Sequence, residues 1–225
     1  MVDRTEGLEQ MSPARRKRLI LLARVIIGFT IVSSAAGLWF STIDREPTDL
    51  GLLMAFALFP FVGYLMATRR PDNSLGWLML GIGVAIGVGA FLGSYAGWAV
   101  HGGIGGAHLG LVAESLNNPM WVPVVGLPVT FLLLLFPDGH LPSPRWRWFA
   151  RILGASLVVM FLTIVLSPGK FGDSAGVFAN YRNPLGVESL RPALTVSTFA
   201  LAMLPIGVIG SLVALVRRFR RWVGI

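Results

Sequence analysis

Three side chains near the middle of the chain have metal-ligand chemistry: His101, His108 and Glu114. Imidazole and carboxylate suit a zinc-like ion. They sit among Gly102, Gly103, Gly105 and Gly106, however, and no close pair such as His-x-x-x-His is present. A plain flexible loop accounts for residues 101–118, and no metal is assigned. Gly81-x-Gly83-x-x-x-Gly87 has a superficial likeness to a nucleotide fingerprint, but no strand precedes it and its surroundings are apolar. Without cysteine there is no thiolate ligand and no cysteine nucleophile. No Ser-His-Asp set, His-Glu-x-x-His or Walker motif occurs. The expectation is a chain with no catalytic, cofactor-binding or metal-binding residues.

The scarcity of chemistry follows from the composition. Of 225 residues, 54% are hydrophobic and 13% charged, against roughly 25% charged in ordinary soluble domains. Mean hydropathy is +0.70. These values exclude a water-soluble domain, a disordered chain and a disulfide scaffold. Six apolar stretches, approximately 19–40, 49–68, 75–100, 119–137, 148–167 and 192–216, each reach the length of about 20 residues that a bilayer-crossing helix needs. Lipid cannot satisfy free backbone groups, and the stretches lack the alternation of barrel strands. The expected fold is an all-α integral membrane six-helix bundle, with a basic segment at 1–18 and a basic tail at 217–225. No ionisable residue is expected deep in a span; Arg24 and Arg151 lie near enough to an end to snorkel.

Charge orients the bundle. Fifteen of the 19 Lys and Arg fall in the N-terminal segment, the 69–70 and 145–151 connections and the 217–221 tail, and only Arg45, Lys170, Arg182 and Arg191 fall on the other side. The positive-inside rule then puts both termini in the cytoplasm, as an even number of spans requires. All seven tryptophans lie within a few residues of an expected span end, where an indole is half in lipid and half in water. The Arg15–Arg18 cluster, the apolar run and Ser34-Ala35-Ala36 also fit a signal peptide. Continuation of the run through Trp39-Phe40 favours a retained first span.

Within the third span, Ala85, Gly89, Gly93 and Gly97 recur every four residues and share one helix face. Small residues so spaced admit a second helix closely, at the bundle centre or at a homodimer contact. Pro60, Pro123, Pro128 and Pro205 each remove a backbone hydrogen bond from a span and mark kinks or hinges. Two cytoplasmic connections, Arg69-Arg70-Pro71-Asp72-Asn73 and Phe136-Pro137-Asp138-Gly139, are turn signals in which Asp72 and Asp138 have arginines nearby in sequence. The outer loop at 168–191 carries Phe171, Phe178 and Tyr181, more aromatic surface than a linker needs.

Taken in order, Arg69-Arg70-Pro71-Asp72-Asn73-Ser74-Leu75-Gly76-Trp77-Leu78, Phe136-Pro137-Asp138-Gly139-His140-Leu141-Pro142-Ser143-Pro144-Arg145-Trp146-Arg147, Asn183-Pro184-Leu185-Gly186 and Arg218-Phe219-Arg220-Arg221 resemble the membrane-spanning N-terminal sensor region of actinobacterial-type sensor histidine kinases. The resemblance extends from about residue 50 onward. His140 stands where the family usually has Arg, and Ser74 where Pro is common. The family continues into a kinase core, which this sequence lacks. What the resemblance implies is a non-catalytic sensor or input module in a bacterial cytoplasmic membrane. Its expected partners are the lipid bilayer and either a second copy or a membrane signalling protein; nucleic acid is not among them, because the basic residues flank apolar spans. The alternative is a small transporter or facilitator subunit, which would need a polar cavity at mid-depth.

Overall fold

The structure, a computed structural model, describes residues 12–44 and 50–223. Among these there is no strand, only an isolated antiparallel bridge between Lys170 and Arg182. The helices are α1 (Pro13–Asp44), α2 (Leu50–Arg69), α3 (Ser74–Val100), α4 (Gly106–Asn117), α5 (Trp121–Leu127), α6 (Leu133–Leu135), α7 (Trp146–Val165), α8 (Arg191–Ser197) and α9 (Met203–Val223). A 3-10 turn at Asn118–Met120 and a π turn at Pro128–Leu132 join α4, α5 and α6 into one run. A 3-10 turn at Thr198–Ala202 joins α8 to α9. Five segments are long and apolar enough to cross a membrane: Pro13–Ile43, Ser74–Val100, Gly106–Leu135, Trp146–Val165 and Glu188–Arg217. The 20-residue α2 adds a further apolar helix.

Leu21, Val25, Phe29 and Val32 of α1, Phe61 of α2, Ile152 and Val158 of α7 and Ile209 of α9 all face outward. Water does not tolerate so continuous an apolar surface. The chain is a helical bundle of the multi-pass membrane type.

Two boundaries depart from the sequence expectation. Helix α1 begins at Pro13, a residue suited to a first helical turn because its missing N–H has no partner there. Ser12 caps it, its Oγ accepting from Arg15 N at 3.3 Å. Arg15–Arg18 are therefore the exposed first turns of the helix rather than a segment before it. Arg4 and Arg45 lie outside the described residues.

The second departure corrects the flexible loop expected at 101–118. Only its glycine-rich start is a turn; from Gly106 the chain is helical. Gly110 and Ala113 are buried, and a Cβ at Gly110 would come within 3.0 Å of the Ala96 carbonyl of α3. Packing against α3 overrides the poor intrinsic helicity of glycine. As a consequence Glu114, only 7% exposed, lies within a membrane-length helical run instead of a loop.

Helix α3 has neighbours on several faces. Gly37 of α1 stands 2.7 Å, as the distance a Cβ would have, from the Ala90 backbone; Gly63 of α2 stands as close to Leu80 N; and Gly76 of α3 as close to Ala67 N. Gly83 receives the ring of Pro60, and Gly87 faces Thr30 O. These backbone approaches hold α1 and α2 on α3. The Ala85–Gly97 stripe serves differently. A Cβ on Gly89 would meet the Met120 side chain at 3.3 Å, and one on Gly93 the Asn117 amide at 3.1 Å, while Gly97 is buried. The stripe thus accommodates side chains from the α4–α5 run. A second core joins Val122, Leu157 and Met160 with Phe131 and Leu204.

The prolines do different things. Pro60 lies mid-helix, buried against Gly83. Pro123 sits within α5, and Pro128 opens the π turn. Pro205 falls in the first turn of α9, where a missing N–H breaks no intrahelical bond, so it begins a helix instead of interrupting one. The break expected there is taken by the Thr198–Ala202 turn.

These contacts rank the glycines. Gly63→Ala drives a methyl into backbone and is expected to cost about 1–3 kcal/mol. Gly93→Ala meets a side chain that can move and costs less. Gly81→Ala, with nothing within 4 Å of the new carbon, is neutral or stabilising by up to about 1 kcal/mol. Thermal unfolding of the three variants in one detergent checks the order.

Candidate functional site

Two of the basic connections, 69–74 and 136–147, meet at one end of the bundle. There the two turn motifs, far apart in sequence, form a single junction. Ser74 Oγ donates to the Gly139 carbonyl across 65 residues of sequence. Gly139 has φ +77°, and any Cβ there would collide with Asn73 Oδ1, so glycine is required on both counts. Asn73 Oδ1 accepts from Leu75 N at 2.9 Å and caps α3. Trp77 Nε1 donates to Pro71 O at 2.8 Å, fixing the buried Pro71 against the start of the same helix. Gly139 N donates to Leu135 O at 2.8 Å and closes α6. The Phe136–Pro137 peptide is cis. Asp138 Oδ1 accepts from His140 N at 3.3 Å. Arg69, Arg70 and Asp72 are exposed at the rim. A cavity of about 640 Å³ beside the junction is lined by Ser74, Phe131, Gly139, His140 and Arg147.

At the opposite end Asn183 is a hub. Its Nδ2 donates at 2.8 Å to both Val165 O and Ser167 O, carbonyls left over at the end of α7. Its Oδ1 accepts from Leu185 N at 2.9 Å and from Ser115 Oγ of α4 at 2.7 Å. Gly186 lies so close to Pro168 that a Cβ would stand 2.7 Å from its Cα. Phe178 is buried against Ala96 and Ala113, with Phe171 set edge-to-face on it. The 166–191 segment is therefore a fitted cover over α3 and α4. Phe40, Tyr95 and Trp98 form an aromatic cluster at the same end, with Phe40 and Trp98 centroids 4.8 Å apart.

Between α2, α3 and the α4–α5 run lies an open cavity of about 370 Å³ of mixed polar and apolar lining. Ala85 and Gly89 form its floor, Glu114, Asn117 and Asn118 line one side, and Phe56 and Trp121 bring aromatic surface. Glu114 Oε2 accepts from Asn117 Nδ2 at 3.2 Å. Two of the four residues expected to pack a neighbouring helix thus line a cavity. His101 and His108 are exposed, and no group of three potential metal ligands occurs among the described residues.

Ser115, Asn117 and Asn183 were not singled out from sequence. Asn183 belongs to a visible turn motif, but its partner Ser115 is 68 residues away. Asn117-Asn118 before Pro119 reads as a loop, and only helix α4 turns it inward. No family model, curated protein or solved structure matches the chain.

The hub can be tested atom by atom. Asn183→Ala removes four hydrogen bonds and leaves α7 carbonyls unpaired, at about 1–3 kcal/mol for each buried group orphaned. Asn183→Asp keeps the accepting oxygen and loses the two donated bonds. Limited proteolysis of the 166–191 cover is expected to speed up most in Asn183→Ala, less in Asn183→Asp and not in wild type.

Proposed function

We propose that this chain is a six-span, N-in/C-in module of a bacterial cytoplasmic membrane that transmits a condition at its outer end to its arginine-rich inner end, in the manner of a histidine-kinase input region and without catalysis of its own. In this reading α2 is the sixth crossing. The observation that carries it is the junction of Asn73-Ser74 with Gly139. Two of the turn segments that bear the resemblance touch each other, and one of them terminates the same helical run whose middle lines the cavity at Glu114. Gly106–Leu135 spans about 45 Å at 1.5 Å per residue, enough to link both faces of a bilayer. Its π turn at Pro128 is a spot where the helix can change register without losing all its bonds.

Close packing in the inner half of the bundle favours a module of this kind over a conduit. Thr130 is fully buried and donates to Gly126 O, and Gly207 lies against Leu153 and Thr130. Two further cavities, of about 580 Å³ between α1 and α2 and about 470 Å³ between α5 and α7, have almost wholly apolar linings suited to lipid chains.

The chain has no cysteine, so one introduced at Leu141→Cys, in the wall of the inner cavity, reports on the junction through its reaction rate with a maleimide. Gly139→Ala, which opens the junction, is expected to raise that rate severalfold. Asn183→Ala and Glu114→Gln, at the far end, are expected to shift it in folded protein as well. A rate that responds to Gly139→Ala but to neither distant change contradicts transmission.

A further inference from the structure

We propose that the cavity at Glu114 binds an organic ammonium ion with an apolar body. The inference deepens the sensing reading by naming a ligand class for the outer end, but binding is measured directly and does not depend on transmission. Glu114 is buried, and its hydrogen bond comes from the neutral amide of Asn117. Among the described residues, no cation pairs with it. A buried carboxylate without a counter-ion is costly, so a site that keeps one favours a cation brought from outside. Asn117 and Asn118 add carbonyl acceptors, and Trp121 and Phe56 add aromatic surface of the kind that attracts ammonium groups. Ile86, Met120 and Val124 complete an apolar wall for the rest of the molecule. A volume of about 370 Å³ lies in the range of small-molecule sites.

Other ligand classes fit less well. An anion would face the carboxylate. A hard divalent ion needs six or more oxygens in a compact shell, and no cluster of three acidic or imidazole groups is found among the described residues. A neutral ligand would draw only a hydrogen bond from the carboxyl and none of the charge attraction that an ammonium gains there. Position also favours a soluble or headgroup ammonium. The last 20 residues of the Gly106–Leu135 run suffice to cross hydrocarbon, which leaves Glu114 at the outer interface.

The full chain in nanodiscs of phosphatidylglycerol is titrated with phenethylammonium and, separately, with the neutral isostere 2-phenylethanol by isothermal calorimetry. Saturable binding of the ammonium is expected, at least tenfold tighter than the alcohol. Glu114→Gln is expected to weaken it at least tenfold. Gly89→Leu, which fills the floor and leaves the carboxylate intact, is expected to do the same and stands in if Glu114→Gln does not fold. Repeating the titration in phosphatidylethanolamine separates two sources of the same chemistry: a lower apparent affinity identifies the lipid headgroup as the resident ammonium, and an unchanged one identifies a free solute. Equal binding of ammonium and alcohol, equal binding by wild type and both variants, or no saturable binding in phosphatidylglycerol overturns the proposal.

Discussion

A hydrocarbon medium offers no partner to a backbone amide or carbonyl, and most polar groups of this bundle are placed by that constraint; the buried Ser211 hydroxyl is an exception. Within the spans, several hydroxyls turn back onto their own helix: Thr30 onto Ile26 O, Thr68 onto Tyr64 O and Thr163 onto Val159 O. What cannot be satisfied within a helix is moved to the two ends. Free carbonyls of α7 are taken up by Asn183, and free amides of α3 by Asn73. The ends consequently hold nearly all the hydrogen-bonding specificity, while the middle is held by shape, with glycines bringing backbones into contact. A junction at one end and a cover at the other, linked by the Gly106–Leu135 run, are the natural outcome.

The positions of α3 and α7 were legible in the sequence because they depend on bulk hydropathy, a property each residue contributes independently. Helix α3 begins and ends within a residue of its apolar run, and α7 within two. Clustering of arginines was legible for the same reason. The site was not, because it depends on pairs. Asn183 meets Ser115, and Ser74 meets Gly139, only once the topology has closed loops of more than sixty residues. Helix α4 was missed because Gly102 to Gly106 reads as a flexible stretch, and local propensity says nothing of the face of α3 against which Gly110 and Ala113 pack. That single change of state turned Glu114 from a loop residue into a buried carboxylate.

The glycine stripe carries a related lesson. Spacing identified which residues share a face of α3, and they do. It did not identify what comes to that face. Asn117 and Met120 arrive there instead of a second backbone, and the space left at Ala85 and Gly89 becomes part of a cavity. The residues that do bring backbones together, Gly37, Gly63 and Gly76, lie on three different helices and share no spacing pattern. Close packing is a property of the assembled bundle, whereas periodicity is a property of one helix.

The proposed orientation puts the arginine-rich junction on the cytoplasmic side of the membrane and the Asn183 cover on the other side. Because the native chain has no cysteine, two single substitutions decide it: Ile104→Cys, in the exposed turn before α4, and Pro144→Cys, in the exposed turn before α7. Intact cells are treated with a membrane-impermeant maleimide. The account predicts that Ile104→Cys labels at once and Pro144→Cys only after permeabilisation. Reversed labelling, or labelling of both without permeabilisation, would contradict it.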